Sequence, residues 1–234
     1  MLKNKKVEYI LKREKYDFYD LCTILEILRG EDGCPWDIEQ THESIRKNFI
    51  EETYEVIEAI DTKDTNLLCE ELGDVLLQVV FHTQMEKEMG NFDIGDVTNE
   101  VCAKLVHRHP HIFGDVNANT SDEVLKNWEE IKSIEKSRET LYDKLNSIPS
   151  MTPALMRASK VAKKSGEYKE YTNSEVIELV KKSLDIMGES PDCIKSEELG
   201  EALFLLSALS FKTEIDAEEA LFKKTNAFVE KYRN

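Results

Sequence analysis

Residues that interrupt helices are scarce in this sequence, which has nine Gly and five Pro among 234 residues. Gly and Pro supply most tight turns, so their scarcity favours long helices over many short strands. No segment shows a convincing alternation of apolar and polar residues, whereas apolar residues recur at helical spacing along most of the chain. The sequence therefore predicts an all-α fold.

Cysteines are also few, and the five present show no Cys-x-x-Cys spacing. This pattern argues against a disulfide framework or a zinc knuckle and favours reduced thiols in a cytoplasmic protein. No uncharged run reaches the roughly 18 residues that a membrane span needs. The basic segment at residues 1–15 has no apolar core, so we expect no signal peptide. The cysteines are Cys22, Cys34, Cys69, Cys102 and Cys193.

Positive charge is in deficit, with 31 Lys and Arg against 47 Asp and Glu and a net charge of −16. An acidic surface repels the phosphates of nucleic acids and of anionic lipids. We therefore expect neither a nucleic-acid polymer nor a membrane as a partner. A phosphate-bearing small ligand would need local Lys or Arg side chains, or a metal ion, to offset this field.

Capping signals divide the chain into helices. Asp17 and Gly30 bound one apolar-periodic segment, and two long helices are expected at about 41–61 and from the turn at 61–65 to Met89. Further helix starts are expected at Asp93, Thr120, Thr172 and Asp216.

The segment at 146–153 is the best candidate for a linker, which gives domains at 1–145 and 146–234. An internal repeat supports two related halves, since "EELGDVLLQVV" at 70–80 resembles "EELGEALFLLS" at 197–207. The second copy has lost the acids that precede this motif in the first, because Glu51, Glu52 and Glu55 align with Lys181, Lys182 and Asp185.

Four acidic residues occur at helical spacing on two consecutive predicted helices. Glu52 and Glu55 are three apart on the first, and Glu71 and Asp74 are three apart on the second, so each pair shares a helix face. A short turn makes such helices antiparallel neighbours, which places the two pairs opposite each other. Half-buried carboxylates are costly unless a cation meets them. Oxygen ligands alone suit a hard divalent cation, and we expect Mg²⁺, with Mn²⁺ as the alternative.

Other interpretations of these patterns stay open at this point. Acidic pairs at helical spacing are most often a solvated face. A di-iron bundle requires two Glu-x-x-His motifs, whereas only Glu39 and His42 form one. The alternating histidines after residue 106 suggest zinc, yet Pro110 interrupts them and no cysteine is nearby, so we expect them to form loop hydrogen bonds. These histidines are His107, His109 and His111.

Five segments in order resemble the MazG family of nucleoside triphosphate pyrophosphohydrolases. They are "GCPWDIEQTHESI" (33–45), "EETYEVIEAI" (51–60), "EELGDVLLQVVFH" (70–82), "KLVHRHPHIFGD" (104–115) and "WEEIK" (128–132). The similarity continues through "PALMRASK" at 153–160 and, weakly, toward the C-terminus.

The resemblance implies tandem helical regions whose hairpins pair into a four-helix core, usually in a homodimer. It implies Mg²⁺-dependent cleavage of a nucleoside triphosphate between the α and β phosphates, which clears non-standard or excess nucleotides. The metal ligands of the family match Glu52, Glu55, Glu71 and Asp74. Glu51 matches the leading acid of the motif, and Glu51 or Glu52 is the candidate to take a proton from the attacking water.

The resemblance also locates candidates for substrate binding. Lys104 and Arg108 lie four apart on one helical face and match a family motif, so we expect them to bind phosphate oxygens. Lys132 is a weaker candidate in a helix of mixed charge. Trp36 stands in the loop before the acidic hairpin, where it would stack on a nucleobase or pack in the core.

Departures from the two-copy family pattern fall in the second half. Lysines replace its leading acids and Glu201 replaces the expected Asp, so we place activity in the first copy and assign packing, dimerisation or regulation to the second. Two other functions stay open: a narrow dUTP or dCTP pyrophosphatase, and a non-catalytic helical module for regulation or oligomerisation. The family also occurs at the end of a longer fusion, and the sequence leaves open whether this chain is part of one.

Overall fold

A computed structural model describes residues 5–135, 140–189 and 195–233. Within these ranges the chain forms thirteen helices and no strand, which confirms the all-α prediction. In chain order the helices are α1 (Lys5–Leu11), α2 (Phe18–Leu28), α3 (Pro35–Glu39), α4 (His42–Thr62), α5 (Thr65–Met89), α6 (Ile94–Arg108), α7 (Pro110–Phe113), α8 (Ser121–Glu135), α9 (Leu141–Asn146), α10 (Ala154–Ser165), α11 (Asn173–Glu189), α12 (Ser196–Lys212) and α13 (Ala217–Glu230).

None of the helices in the described ranges is long and apolar enough to cross a membrane. The four cysteines within these ranges are free thiols, as expected, and Cys193 lies outside the described residues.

Local signals fix the ends of the two long helices that carry the acidic residues. The Thr41 hydroxyl accepts a hydrogen bond from the Ser44 backbone N–H and starts α4, which ends at Lys63 in the left-handed conformation with φ 57°. Asp64 caps the start of α5. Gly90, with φ 75°, ends α5 in the region that favours glycine. The turn between the helices is therefore short, and α4 and α5 form an antiparallel hairpin.

The described residues fall into two compact units, divided after Trp128. In the first unit, α5 packs against both α4 and α2. Its core consists of Leu25, Ile45, Val80, Phe81 and Met85. A short ion pair joins the C-terminal ends of α2 and α5, where the Arg29 guanidinium lies 2.8 Å from the Glu88 carboxylate. These contacts fix α5 against both α2 and α4.

The second unit contains a hairpin of α11 and α12, and α12 also packs against α10. This hairpin corresponds to the second copy of the sequence repeat. The division after Trp128 falls within α8. The boundary between domains that the sequence places near residue 145 stays a prediction, because it concerns which segments fold independently. The core of the second unit consists of Ala162, Tyr168, Val176, Val180, Leu205 and Ala208.

Candidate functional site

Three of the four predicted metal ligands come together between α4 and α5. One carboxylate oxygen each from Glu52, Glu55 and Glu71 lies within 4.8 Å of the other two. Glu71 is buried, with 8% of its surface exposed, whereas Glu52 is half-buried and Glu55 is exposed. Within the described part of the chain, no other set of three His, Cys, Asp or Glu side chains is as close.

Asp74 and Glu51 lie at the margin of this cluster. Asp74 is half-buried, and its charge contributes to raising the pKa of both Glu52 and Glu71. Glu51 is exposed, and its charge also acts on Glu52. Both side chains are therefore near enough to interact electrostatically with the cluster, although neither belongs to the set of three.

Like charges act on one another in the cluster. Burial, followed by the charges of Asp74 and Glu55, raises the pKa of Glu52. Burial, followed by the charge of Glu55, raises the pKa of Glu71. Both directions mean that the ionised carboxylates are disfavoured when no cation is near them. Oxygen donors, a short separation and mutual repulsion together fit a hard divalent cation.

The second hairpin lacks a comparable cluster among its described residues. Lys181 lies at the position that aligns with the first acid, and its ammonium group is 2.6 Å from the Glu178 carboxylate. Asp185 and Glu201 are both exposed. These features favour the first hairpin as the functional one.

The two basic candidates on α6 interact with residues nearby in the structure. The Lys104 ammonium group lies 2.7 Å from a carboxylate oxygen of Glu100, one turn earlier. The Arg108 guanidinium lies 5.5 Å from the centre of the Trp128 ring. Both side chains are thus positioned by neighbours, and their predicted role in phosphate binding stays a prediction.

The remaining candidates lie on α3, on α8 and at the start of α7. Trp36, in α3, is 58% exposed, so it does not pack in the core and its face is available for stacking. Lys132 lies in the last turn of α8. The Nδ1 atom of His109 is 2.6 Å from the Leu105 carbonyl oxygen, as expected for a histidine that forms loop hydrogen bonds rather than a zinc site.

A cavity of about 550 Å³ is lined by residues of α4 and α5 together with Phe92 and Val97, which follow α5. Its apolar wall includes Phe49 and Ile50 from α4 and Val79 from α5. Phe49 precedes Glu52 by one helical turn, and the residues of the carboxylate cluster do not themselves line the cavity. Arg46 also lines the cavity.

Two histidines and a glutamate line this cavity as a connected chain. The Nδ1 atoms of His42 and His82 are 2.7 Å apart, and the Nε2 atom of His42 is 2.7 Å from a carboxylate oxygen of Glu86. The ring planes of the histidines differ by 2° and their centres are 5.0 Å apart, which suits a hydrogen bond in a shared plane. A hydrogen bond from Asn91, with support from His42, lowers the pKa of Glu86.

The hydrogen bonds among His42, His82 and Glu86 were not predicted from the sequence. The pairing of residues across the α4–α5 hairpin does, however, bring these three residues close together. Equal counting outward from the turn at residues 63–64 places Glu52 opposite Val75, next to Asp74, and His42 opposite Met85, between His82 and Glu86. From the sequence, this pairing was applied only to the acidic residues, so the contact between the two histidines was not identified.

Comparisons with known proteins show similarity along most of the chain. Residues 40–113 match the MazG nucleotide pyrophosphohydrolase domain. The nucleoside triphosphate pyrophosphohydrolase/pyrophosphatase MazG of Thermotoga maritima is 41% identical over 219 residues, which cover 92% of this chain and 84% of that protein. The nucleoside triphosphate pyrophosphohydrolase of Escherichia coli K12 is 40% identical over 222 residues, which cover 91% and 84%. The uncharacterized protein YabN of Bacillus subtilis is 47% identical over 158 residues, which cover 65% of this chain and 32% of that protein.

Proposed function

Because this chain belongs to the MazG family of nucleotide pyrophosphohydrolases, we propose that its α4–α5 hairpin hydrolyses nucleoside triphosphates to a monophosphate and pyrophosphate. The observation that supports this most directly is the cluster of Glu52, Glu55 and Glu71, whose carboxylates lie within 4.8 Å of one another. A triphosphate and this cluster are both negative, so they can associate only through a cation. A bound cation is therefore required both to neutralise the carboxylates and to bind the triphosphate.

The proposed cofactor is Mg²⁺, with Mn²⁺ as a substitute. Glu52, Glu55, Glu71 and Asp74 would hold it, since their oxygens match the preference of a hard cation. Bound there, the ion would neutralise phosphate charge and make water a stronger nucleophile. The proposed cleavage lies between the α and β phosphates, and no covalent intermediate with the protein is needed.

The side chains of the hairpin have separate roles in this proposal. Glu71, the most buried of the acids, fixes the position of the cluster. Glu51 is exposed beside Glu52, so Glu51 or Glu52 accepts the proton of the attacking water. Lys104 and Arg108 bind the oxygens of the leaving group, Arg108 with two parallel hydrogen bonds. Lys132 and Trp36 remain candidates for further phosphate and base contacts.

We also propose that the protein acts as a homodimer in the cytoplasm, where nucleotide pools require removal of non-standard or excess nucleotides. Support for the dimer comes from an apolar stripe on α4 that is exposed within this chain. Tyr54, Ile57 and Ile60 follow at helical spacing and are 56%, 41% and 55% exposed. A second copy would cover this stripe.

One experiment tests the proposed function and separates it from its alternatives. The protein is incubated with each of the common NTPs and dNTPs and with Mg²⁺, and both the monophosphate and pyrophosphate are measured. Release from several bases supports a broad house-cleaning enzyme. Release from dUTP or dCTP alone would indicate the narrow pyrophosphatase, and release from none would indicate a non-catalytic module.

A further inference from the structure

Three polar side chains follow each other at intervals of four residues along α5, from Asp74 at the margin of the carboxylate cluster to His82, which is the one of the three that lines the cavity. Asp74, Gln78 and His82 share one helix face, and each step spans about 6 Å along the axis. Gln78 is 7% exposed, and its buried Oε1 atom has no hydrogen-bond partner within the described chain. If phosphates bind at the carboxylates, a nucleoside extending along this face passes Gln78 and brings its base to His82.

The cavity at the end of this row suits a flat heteroaromatic ring. Phe49, Ile50 and Val79 supply apolar contact for the faces of a base. His82 lines the same cavity, and its Nδ1 atom is occupied by His42. The other ring nitrogen, Nε2, is then the one that can meet the edge of a base.

Whether Nε2 of His82 donates or accepts a hydrogen bond depends on where the protons lie among His42, His82 and Glu86. Ionised Glu86 can only accept, so the Nε2 atom of His42 carries a proton. When both histidines are neutral, the Nδ1 atom of His42 is an acceptor, and the Nδ1 atom of His82 must donate to it. A neutral His82 that is protonated at Nδ1 has a lone pair at Nε2. In this state Nε2 of His82 accepts hydrogen bonds.

One additional proton reverses this role. If the proton resides on His42, its Nδ1 atom donates to Nδ1 of His82, and neutral His82 then carries its own proton at Nε2. If the proton resides on His82, both of its nitrogens carry protons. Either arrangement preserves the 2.7 Å contact between the two Nδ1 atoms and makes Nε2 of His82 a donor.

We propose, on the basis of the proposed function, that this cavity binds the nucleobase and that Nε2 of His82 selects it by hydrogen-bond polarity. The neutral pair of histidines accepts from an exocyclic amino group, as in cytosine or adenine. The singly protonated pair donates to a carbonyl group, as in uracil or hypoxanthine. The preference of the enzyme therefore changes from amino bases to keto bases as the pH falls.

Charged groups of both signs lie around the pair on its two helices. Glu86 on α5 and Glu43 on α4 are negative, while Arg46 on α4 is positive. The cavity residues that follow α5 are uncharged, since they are Phe92 and Val97. Burial, together with the charge of His42, lowers the pKa of His82, so the doubly protonated pair forms only at still lower pH.

The test compares CTP with UTP, which differ at the amino or carbonyl group and carry the same triphosphate. We measure the ratio of kcat/KM for CTP to that for UTP between about pH 8 and about pH 5.5, a range that spans ordinary histidine titration. The titration of the shared phosphates cancels from the ratio. We expect the ratio to fall roughly tenfold, the usual size of one mismatched hydrogen bond in a binding site.

Three variants make the test specific. His82→Phe keeps an aromatic ring without nitrogens and should give a ratio that does not change with pH. Glu86→Gln removes a negative charge next to His42. The fall in the CTP to UTP ratio should therefore occur at lower pH than in the wild type. Glu58→Gln, one helical turn beyond Glu55 on α4, removes the same charge elsewhere on the helix and should behave as the wild type. Circular dichroism and thermal unfolding show whether each variant folds.

A second readout separates failure of this proposal from failure of the proposed function. The dissociation constants of CMP and UMP are measured by calorimetry across the same pH range. If no NTP is hydrolysed, the proposed function fails, yet the ratio of these constants still tests the cavity. A ratio that does not change with pH in the wild type, a change that persists in His82→Phe, or no binding of either monophosphate would each overturn the proposal.

Discussion

Substitution of one acid in the carboxylate cluster should have opposite effects with and without metal. Two unit charges 4.8 Å apart, the limit found in the cluster, repel by about 0.9 kcal/mol in water and about 3.5 kcal/mol at an effective dielectric constant of 20. Glu52 is half-buried and Glu55 is exposed, so screening by solvent favours the lower value. We therefore expect Glu52→Gln to stabilise the metal-free protein by about 1 kcal/mol, a rise of about 3 °C in the unfolding midpoint.

With saturating Mg²⁺, the wild type should be more stable than Glu52→Gln, the reverse of the order expected without metal. A ligand at one hundred times its dissociation constant stabilises the folded state by about 2.7 kcal/mol. Wild type should gain this amount on saturation with Mg²⁺, and Glu52→Gln should gain much less because it lacks one ligand. The assay is thermal unfolding across a Mg²⁺ titration, with Glu58→Gln as the control of equal charge change on the same helix.

The pH dependence of the metal-free proteins checks the electrostatic cause. Burial and neighbouring charges raise the pKa of Glu52, so the folded state holds this proton to higher pH than the unfolded state does. Its contribution to stability therefore falls as the pH rises through the interval between the unfolded and folded pKa values. The advantage of Glu52→Gln should be complete at neutral pH and absent below about pH 4, where glutamates are protonated in both states. A variant that is less stable than wild type without metal, or that responds equally to Mg²⁺, would refute the reasoning.

Three further predictions concern activity, measured as pyrophosphate release. Asp74→Asn should fall below about 1% of the wild-type rate with unchanged helical circular dichroism, because metal-assisted charge stabilisation contributes several kcal/mol; near-normal turnover would contradict the ligand assignment. Asp185→Asn and Glu201→Gln should each stay within about twofold of wild type, since exposed substitutions have small effects, and loss of activity would show that the second hairpin is catalytic. Arg108→Ala should raise KM about tenfold by removing a charge-assisted hydrogen bond to phosphate, and an unchanged KM would remove Arg108 from the substrate site.

Helix ends and helix faces could be predicted from local sequence because they depend on neighbouring residues. Asp64 and Gly90 bound α5 as capping rules predict. Glu52 and Glu55 share a face because residues three apart always do in a helix. The short turn after α4 then brings Glu71 opposite them, which the structure shows as a separation within 4.8 Å. These relations need no knowledge of the rest of the fold.

Burial within the cluster could not be predicted in the same way. Glu71 is 8% exposed while Glu55, one turn from Glu52, is exposed. The difference depends on how α2 fixes the rotation of α5 against α4, which no local pattern specifies. The same rotation determines that Gln78 of α5 is buried.

The sequence by itself determined the helical class, the capped ends of the hairpin and the shared faces of the acidic pairs. All three follow from backbone hydrogen bonding and from the period of the α-helix. Only the tertiary structure decided that His42, His82 and Glu86 form one hydrogen-bonded chain beside an apolar cavity. That chain joins residues more than forty positions apart, and it depends on distances of about 3 Å that are fixed by packing of α5 between α2 and α4.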